Sequence, residues 1–235
     1  MPARSEKSAR PVVLSVGGSV LLTGDGDREY VHRLAELLRE VGRSTPLVVT
    51  TGGGRTAREY IRLGRDLGLT EVELDELGIE VSRLHARLLA ASVGPPTPAH
   101  PPPTIALAVH ELSRASPVIL GGTEPGHTTD GTAALIAARL RAVRMVNATD
   151  VDGLYDEDPR THPEARLIPR TRWADFRRRV LAATSAQAGQ NFLFDRLGAD
   201  TLARGGIPLW IVPGRDLRNL ASALRGAPFH GSRVE

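Results

Sequence analysis

Four short segments hold the residue types that could do chemistry. Ser15-Val16-Gly17-Gly18-Ser19 and Thr51-Gly52-Gly53-Gly54-Arg55-Thr56-Ala57-Arg58 each end an apolar run in glycines. Glycine lets backbone N–H groups approach an anion with no Cβ in the way, and a helix start adds a favourable dipole, so turns of this kind can cradle phosphates. Arg58 falls one turn into the helix that Gly52 to Gly54 would open, where a guanidinium reaches a phosphate beside the helix start. The plainer role for Arg58 is an exposed partner of an acid such as Glu59. The third segment, Gly121 to Asp130, places Thr128, Thr129 and Asp130 at a loop-to-helix junction behind two glycines and His127. An Asp there often only caps a helix, but capping has no use for the glycines, the imidazole and both threonines together. The chemistry these residues suit is phosphoryl transfer, which depends on positioning and charge stabilisation. A phosphate acceptor attacks as an anion and needs no base, so His127 is not expected to be one.

The fourth segment, Thr149-Asp150-Val151-Asp152-Gly153-Leu154-Tyr155-Asp156-Glu157-Asp158-Pro159, is rich in acids. It lacks the loop length and terminal Glu of a calcium-binding EF-hand. Granted the other three motifs, it reads as a loop around an adenine and ribose, with Tyr155 alongside. The turn at Ser15 to Ser19 is neither a Walker A loop nor a G-x-G-x-x-G dinucleotide fingerprint.

The elements that must hold these turns follow from periodicity. Short apolar runs at 11–16, 47–51, 117–120, 144–148 and 208–212 read as buried parallel strands. Helical spacing covers 30–41, 56–67, 71–91 and 132–140, with a loop and then a helix over 186–204. In the long 71–91 segment, Leu74, Leu77, Val81, Leu84, Leu88 and Leu89 form one expected stripe. Strand and helix alternate, which predicts a mainly parallel sheet covered on both faces, an α/β/α sandwich. Three strands end in glycines and a fourth in a Thr/Asp/Gly loop. Ligands of such sheets bind beyond the strands' carboxyl ends, so the turns should meet at one rim. Residues 1–10 read as a flexible N-terminal tail and 11–235 as one domain, with a Pro-rich solvent loop at 95–103.

Composition narrows the function classes. The chain of 235 residues is 41% hydrophobic but only 4% aromatic, so its core must rest on Leu, Val, Ile and Ala. Without cysteine it can have no disulfide, thiol nucleophile or Cys-based zinc site. Arginines are spread along the chain without an aromatic stacking motif, and net charge is only +3, so nucleic-acid binding is not expected. No apolar run approaches the length of a signal sequence or membrane span. A soluble cytoplasmic protein is expected.

The segments LSVGGSVL, TGGGRTAREYI, LDELGIEVSRLHARLL, GGTEPGHTTDGTAAL and ATDVDGLYDEDPRTHPEA, in this order, resemble the amino acid kinase family, and within it the archaeal type of uridylate (UMP) kinase. The resemblance runs from Val12 to about Gly231. It implies an α/β/α sandwich and the reaction of ATP with UMP to ADP and UDP, with Mg²⁺ carried by the nucleotide phosphates rather than by protein ligands. It implies that Ser15, Val16, Gly17, Gly18 and Ser19 line the ATP phosphates, that Gly54 and Arg58 meet ATP, and that Thr149, Tyr155 and Asp158 contact it too. Gly53 and Asp75 would meet UMP. Glu124, Pro125, Gly126, His127, Thr128, Thr129 and Asp130 would wrap it, with Asp130 and Arg58 serving catalysis. Kinases of this type are usually homohexamers, trimers of dimers.

The chain departs from the family pattern in its cations. Ser15 stands where many members carry a lysine, and Asp200 stands at the lysine of a D-x-L-x-x-K helix; Lys7 is the only lysine. An acid facing ATP phosphates at about 4 Å would oppose them by roughly 1–4 kcal/mol. Arginines, Mg²⁺ and backbone N–H groups must then neutralise the transferring group. A related kinase for another small acceptor, and a nucleotide-binding paralogue with little activity, are the alternative readings. The GGGRTAR turn differs from the GGGSFGH-like turn of isopentenyl phosphate kinases.

Overall fold

The computed structural model describes residues 10–24, 26–159, 161–184 and 194–235. The expected N-terminal tail, apart from Arg10, and the first part of the loop expected before the last long helix lie outside the described residues. The Arg10 guanidinium donates to the Arg141 and Ala142 carbonyls.

In chain order the elements are β1 (Val12–Val16), α1 (Gly18–Leu21), α2 (Asp27–Ser44), β2 (Leu47–Thr51), α3 (Gly54–Asp66), α4 (Glu71–Val93), α5 (Ile105–Glu111), β3 (Val118–Leu120), α6 (Thr129–Leu140), β4 (Arg144–Thr149), β5 (Arg170–Thr171), α7 (Trp173–Thr184), α8 (Arg196–Gly205), β6 (Leu209–Pro213), α9 (Leu217–Arg225) and β7 (Ser232–Val234). The strands form one sheet in the order β3-β2-β1-β4-β6-β7-β5. Neighbours are parallel except β6 and β7.

Strand alternation divides the core in two. Val12, Leu14 and Val16 point to one face, where they pack with Leu34 and Leu38 of α2, Leu89 of α4 and Leu220 and Leu224 of α9. Val13 points to the other, with Ala133 and Ile136 of α6, Phe176 of α7 and Leu202 of α8. Both faces are thus covered, which is why β1 and β2 are buried at every position and mostly apolar, with Ser15, Thr50 and Thr51 as the polar exceptions near their carboxyl ends. The three-layer sandwich expected from the alternation is the observed fold.

Several local expectations need correction. Gly18–Leu21 is a short helix rather than a simple turn. α6 starts at Thr129, three residues before its expected start, because the Thr128 hydroxyl accepts from the Gly131 N–H and caps it. Asp130 therefore lies inside the first turn. Leu84 and Leu88 do not continue the buried stripe of α4: they are 65% and 45% exposed, and the helix buries Ile79, Ser82, His85, Ala86 and Ala90 instead. α5, α7, α9, β5 and β7 were not anticipated. Residues 94–104 hold neither helix nor strand. No described helix is long and apolar enough to cross a membrane.

Candidate active site

Four parallel strands release the chain at one level. Val16 of β1 is level with Thr51 of β2 and Ala148 of β4, and Thr149 is level with Pro213 of β6. The turns beyond them are stitched together: the Gly17 N–H donates to the Ala148 carbonyl at 3.0 Å, Gly52 N–H to Val16 at 2.9 Å, and Gly214 N–H to Thr149 at 2.8 Å. The first two glycine turns meet without room for a side chain. A Cβ on Gly18 would lie 2.1 Å from the Gly54 nitrogen, and one on Gly54 would lie 2.4 Å from the Gly18 carbonyl carbon. Gly54 also holds φ at +60°, a conformation that favours glycine.

Helix α4 sets these turns from behind. His85 Nδ1 sits 2.8 Å from the Gly52 carbonyl oxygen. The Thr51 hydroxyl donates to the Ser82 carbonyl at 2.9 Å, and the Ser82 hydroxyl accepts from the Gly122 N–H at 2.7 Å. One helix therefore ties the ends of β2 and β3. Sequence reasoning missed both residues. The available signal was a His and a Ser interrupting an apolar helix face, where unpaired polar groups are costly.

At the centre lies Asp130. Ser15 of β1 donates its hydroxyl to the Asp130 carboxylate at 2.6 Å. The residue as a whole is half-buried, but its carboxyl is deep in the protein, and burial pushes its pKa up to about 6. The Ser15 hydrogen bond works against that rise, and the nearby charge of Asp195 adds to it. The neighbouring Thr129 carbonyl is 3.4 Å from the Thr50 hydroxyl, its donor.

The other expected residues fall into three groups. Ser19 and Arg58 join the glycine turns: the Arg58 guanidinium donates to the Ser19 hydroxyl at 3.2 Å, while Glu59 pairs with Arg55. The Val16 side chain is in the core, leaving only its backbone to face a ligand. Gly53 precedes α3 and packs on Ala57 and on the Gly78 carbonyl of α4. In the second group, Asp75 of α4 accepts from the Gly126 N–H at 2.7 Å and so anchors the exposed Glu124-Pro125-Gly126 turn. Gly126 takes φ of +82° there. His127 Nδ1 is buried and has no hydrogen-bond partner among the described residues. The third group is the excursion after β4. Thr149 stands at the rim, its hydroxyl 3.2 Å from Asp150 Oδ1. Tyr155 and Asp158 are tied to their own loop: the Tyr155 hydroxyl donates to Asp152 at 3.4 Å, and the Asp158 carbonyl accepts from the His162 N–H at 2.8 Å. Desolvation and the Asp152 charge hold the Tyr155 phenol above its ordinary pKa.

Asp200, the acid at the family's lysine position, is compensated. Arg177 of α7 lies 2.6 Å from it and Arg196 lies 3.9 Å away. No group of three or more His, Asp or Glu side chains that could hold a metal ion occurs among the described residues. What the rim presents is backbone N–H groups, hydroxyls, arginine and one carboxylate of raised pKa, a set suited to polyphosphate and to charge developing during phosphoryl transfer.

The chain can be set beside known proteins on this geometry. The family model described as "Amino acid kinase family" matches residues 10–213. A uridylate kinase of Methanothermobacter thermautotrophicus is 36% identical over 215 residues, covering 92% of this chain and 95% of its own. One of Thermoplasma volcanium is 39% identical over 226 residues, covering 95% and 97%. The crystal structure of uridylate kinase from Archaeoglobus fulgidus superposes with a TM-score of 0.85 at 33% identity, over 96% of this chain and 100% of that one. UMP kinase from Bacillus anthracis shares the fold, with a TM-score of 0.76 at 18% identity over 96% of each chain. With the family model spanning most of its length and relatives matching it almost end to end, the chain belongs to the amino acid kinase family.

Proposed function

We propose that this protein moves the γ-phosphoryl group of ATP onto UMP, giving ADP and UDP, a step of pyrimidine nucleotide biosynthesis. The observation that carries this reading is the meeting of Gly18, Gly52 and Gly54 at one rim beside the Ser15–Asp130 pair. The names of the full-length relatives supply the acceptor.

In this reading the donor phosphates lie along the turn of Val16 to Ser19, on the backbone N–H groups of Gly18, Ser19 and Gly54, with Arg58 beside them. The loop of Thr149, Tyr155 and Asp158 takes the nucleoside. UMP lies against Gly53 and is wrapped by Glu124 to Asp130, a loop anchored by Asp75. Mg²⁺ enters as part of the MgATP substrate. An ionised phosphate oxygen of UMP attacks the γ-phosphorus in line, the bond to the β,γ-bridging oxygen breaks, and ADP leaves carrying its electron pair. No general base is needed. Arg58, the Mg²⁺ and the glycine N–H groups offset the charge on the transferring group, while Asp130 fixes the geometry at the centre.

The test is ADP release from ATP and Mg²⁺ with a panel of nucleoside monophosphates and other small phosphorylated acceptors. Turnover confined to UMP supports the reading. Turnover with another acceptor alone, or thermal stabilisation by ATP without turnover, rejects it.

We also infer a cytoplasmic protein that assembles as a homohexamer, a trimer of dimers. Supporting the assembly, Tyr60 and Leu63 of α3 and Leu67, the residue that caps its C-terminus, are 53%, 56% and 73% exposed along one stripe. α4 adds the exposed Leu84 and Leu88, and a second copy of the chain is the occupant inferred for these apolar side chains.

A further inference from the structure

We propose that Asp195 is a positioning residue for the acceptor loop: by joining the N-termini of α6 and α8 it holds Thr128 to Asp130 against β1. The inference rests on the UMP kinase reading for its kinetic consequences, though not for its geometry.

The geometry is a continuous chain of hydrogen bonds. The Gly131 N–H of α6 donates to the Thr128 hydroxyl at 2.9 Å. That hydroxyl donates in turn to Asp195 Oδ2. Asp195 Oδ1 accepts from the Gly198 N–H of α8 at 2.6 Å, so the same carboxylate caps α8. Each helix start has unpaired N–H donors that need an acceptor. Here one carboxylate serves α8 directly and α6 through Thr128. The contact is close: a Cβ on Gly131 would lie 3.1 Å from Asp195 Oδ2. Thr128 owns a single hydroxyl proton, and giving it to Asp195 leaves the oxygen's lone pairs for Gly131 and a ligand. The direction of the whole chain is thereby set.

The same carboxylate acts on Asp130. From β1 the group facing Asp130 is the Ser15 hydroxyl, from β2 the neighbouring hydroxyl is Thr50, and neither ionises in the working range. The charged neighbour is Asp195, whose field raises the Asp130 pKa on top of burial. Asp195 thus couples the placement of the loop to the charge state of the central carboxylate. A residue that merely packed would do the first and not the second.

The test uses the full-length protein and two variants. Asp195→Ala removes both the acceptor and the charge. Asp195→Asn keeps an amide oxygen for one cap but loses the charge. Expected for Asp195→Ala is an increase in KM for UMP on the order of tenfold, with KM for ATP within about twofold of wild type. Expected for Asp195→Asn is a smaller rise in KM for UMP, and an acid limb of the kcat/KM profile moved to lower pH. Equal rises in both KM values with an unmoved acid limb would mean a structural cap only and overturn the proposal. If the wild-type protein fails to turn over UMP, the functional reading falls, and infrared titration of the Asp130 carboxyl decides this inference. Its band is assigned with Asp130→Asn. A lower midpoint in Asp195→Asn upholds the coupling, and an unchanged midpoint overturns it. Circular dichroism identifies a variant that has not folded, and Asp195→Asn is the variant chosen to avoid that outcome.

Discussion

The hydroxyl of Ser15, in the second-last position of β1, donates to the carboxylate of Asp130, in the first turn of α6, at 2.6 Å across 115 residues of sequence. This bond favours the ionised form of a carboxylate that burial pushes toward neutrality. Removing it has a signed consequence. In Ser15→Ala the pKa of Asp130 rises further. Activity that needs the ionised carboxylate should then disappear at a higher pH than in the wild type, whose own acid limb is expected near pH 6 in the ligand-free enzyme. A kcat/KM profile from pH 5 to about pH 8 checks this. It is the opposite displacement from the one expected of Asp195→Asn, so the two variants bracket the wild type.

Asp130→Asn separates catalysis from stability. With the central carboxylate gone, kcat should fall by about 10²-fold or more, while the affinity for ATP changes little. Stability should move the other way. The folded-state pKa of about 6 is above the ordinary value of 3.8, so the ionised carboxylate destabilises the fold, and wild-type stability falls as pH rises through that window. The variant escapes this cost. It should be more stable than wild type by on the order of 3 kcal/mol at pH 8, with the difference vanishing near pH 4. Urea unfolding at the two pH values measures it.

The glycine contact at the rim predicts a sharp contrast between two alanine substitutions. Gly18→Ala forces a methyl to 2.1 Å from the Gly54 nitrogen, backbone against backbone, and should abolish ATP binding or folding. Gly78→Ala, inside α4, puts its methyl 3.4 Å from Ile61 Cδ1, an ordinary contact, and should be neutral or stabilise by up to about 1 kcal/mol. Thermal unfolding with and without ATP reads both.

Asp75 anchors the acceptor turn through the Gly126 N–H rather than through the glycine turns of the donor side. Asp75→Ala should therefore raise KM for UMP by roughly tenfold and leave KM for ATP within about twofold. Equal effects on both substrates would contradict the assignment of sides.

The exposed stripe of α3 gives an assembly prediction. Leu63 and Leu67, 56% and 73% exposed, should become buried between copies. Leu63→Glu combined with Leu67→Glu should lower the mass seen by light scattering toward the protomer without loss of helical signal.

Much of this was legible in the sequence for a physical reason: strands buried on both faces are mostly apolar, and repeated glycines at their ends mark turns that leave room for a ligand. The runs at β1, β2, β3, β4 and β6 therefore stood out, as did the rim they share. β5 and β7 did not, because two- and three-residue strands carry no readable period. α9 was missed although Asp216 caps it through the Asn219 N–H, since capping patterns recur in loops. The stripe through Leu84 and Leu88 had the right spacing, yet spacing cannot tell a core from a surface that another copy would cover. The Ser15–Asp130 bond and the Thr128–Asp195 link were out of reach for another reason. Each joins segments far apart in the chain, and only the fold decides which polar residues meet. The same holds for Asp200, whose expected repulsion is offset by Arg177 from a helix that periodicity had not revealed.

In the proposed reaction two nucleotides meet phosphate to phosphate at this rim. Phosphorus NMR of the protein with ATP, Mg²⁺ and UMP follows the transfer itself. Resonances of ADP and UDP should grow together in equal amounts as those of ATP and UMP decline, and ATP should persist when UMP is left out. Loss of ATP to free phosphate, or a mixture that stays unchanged with folded protein present, would contradict it.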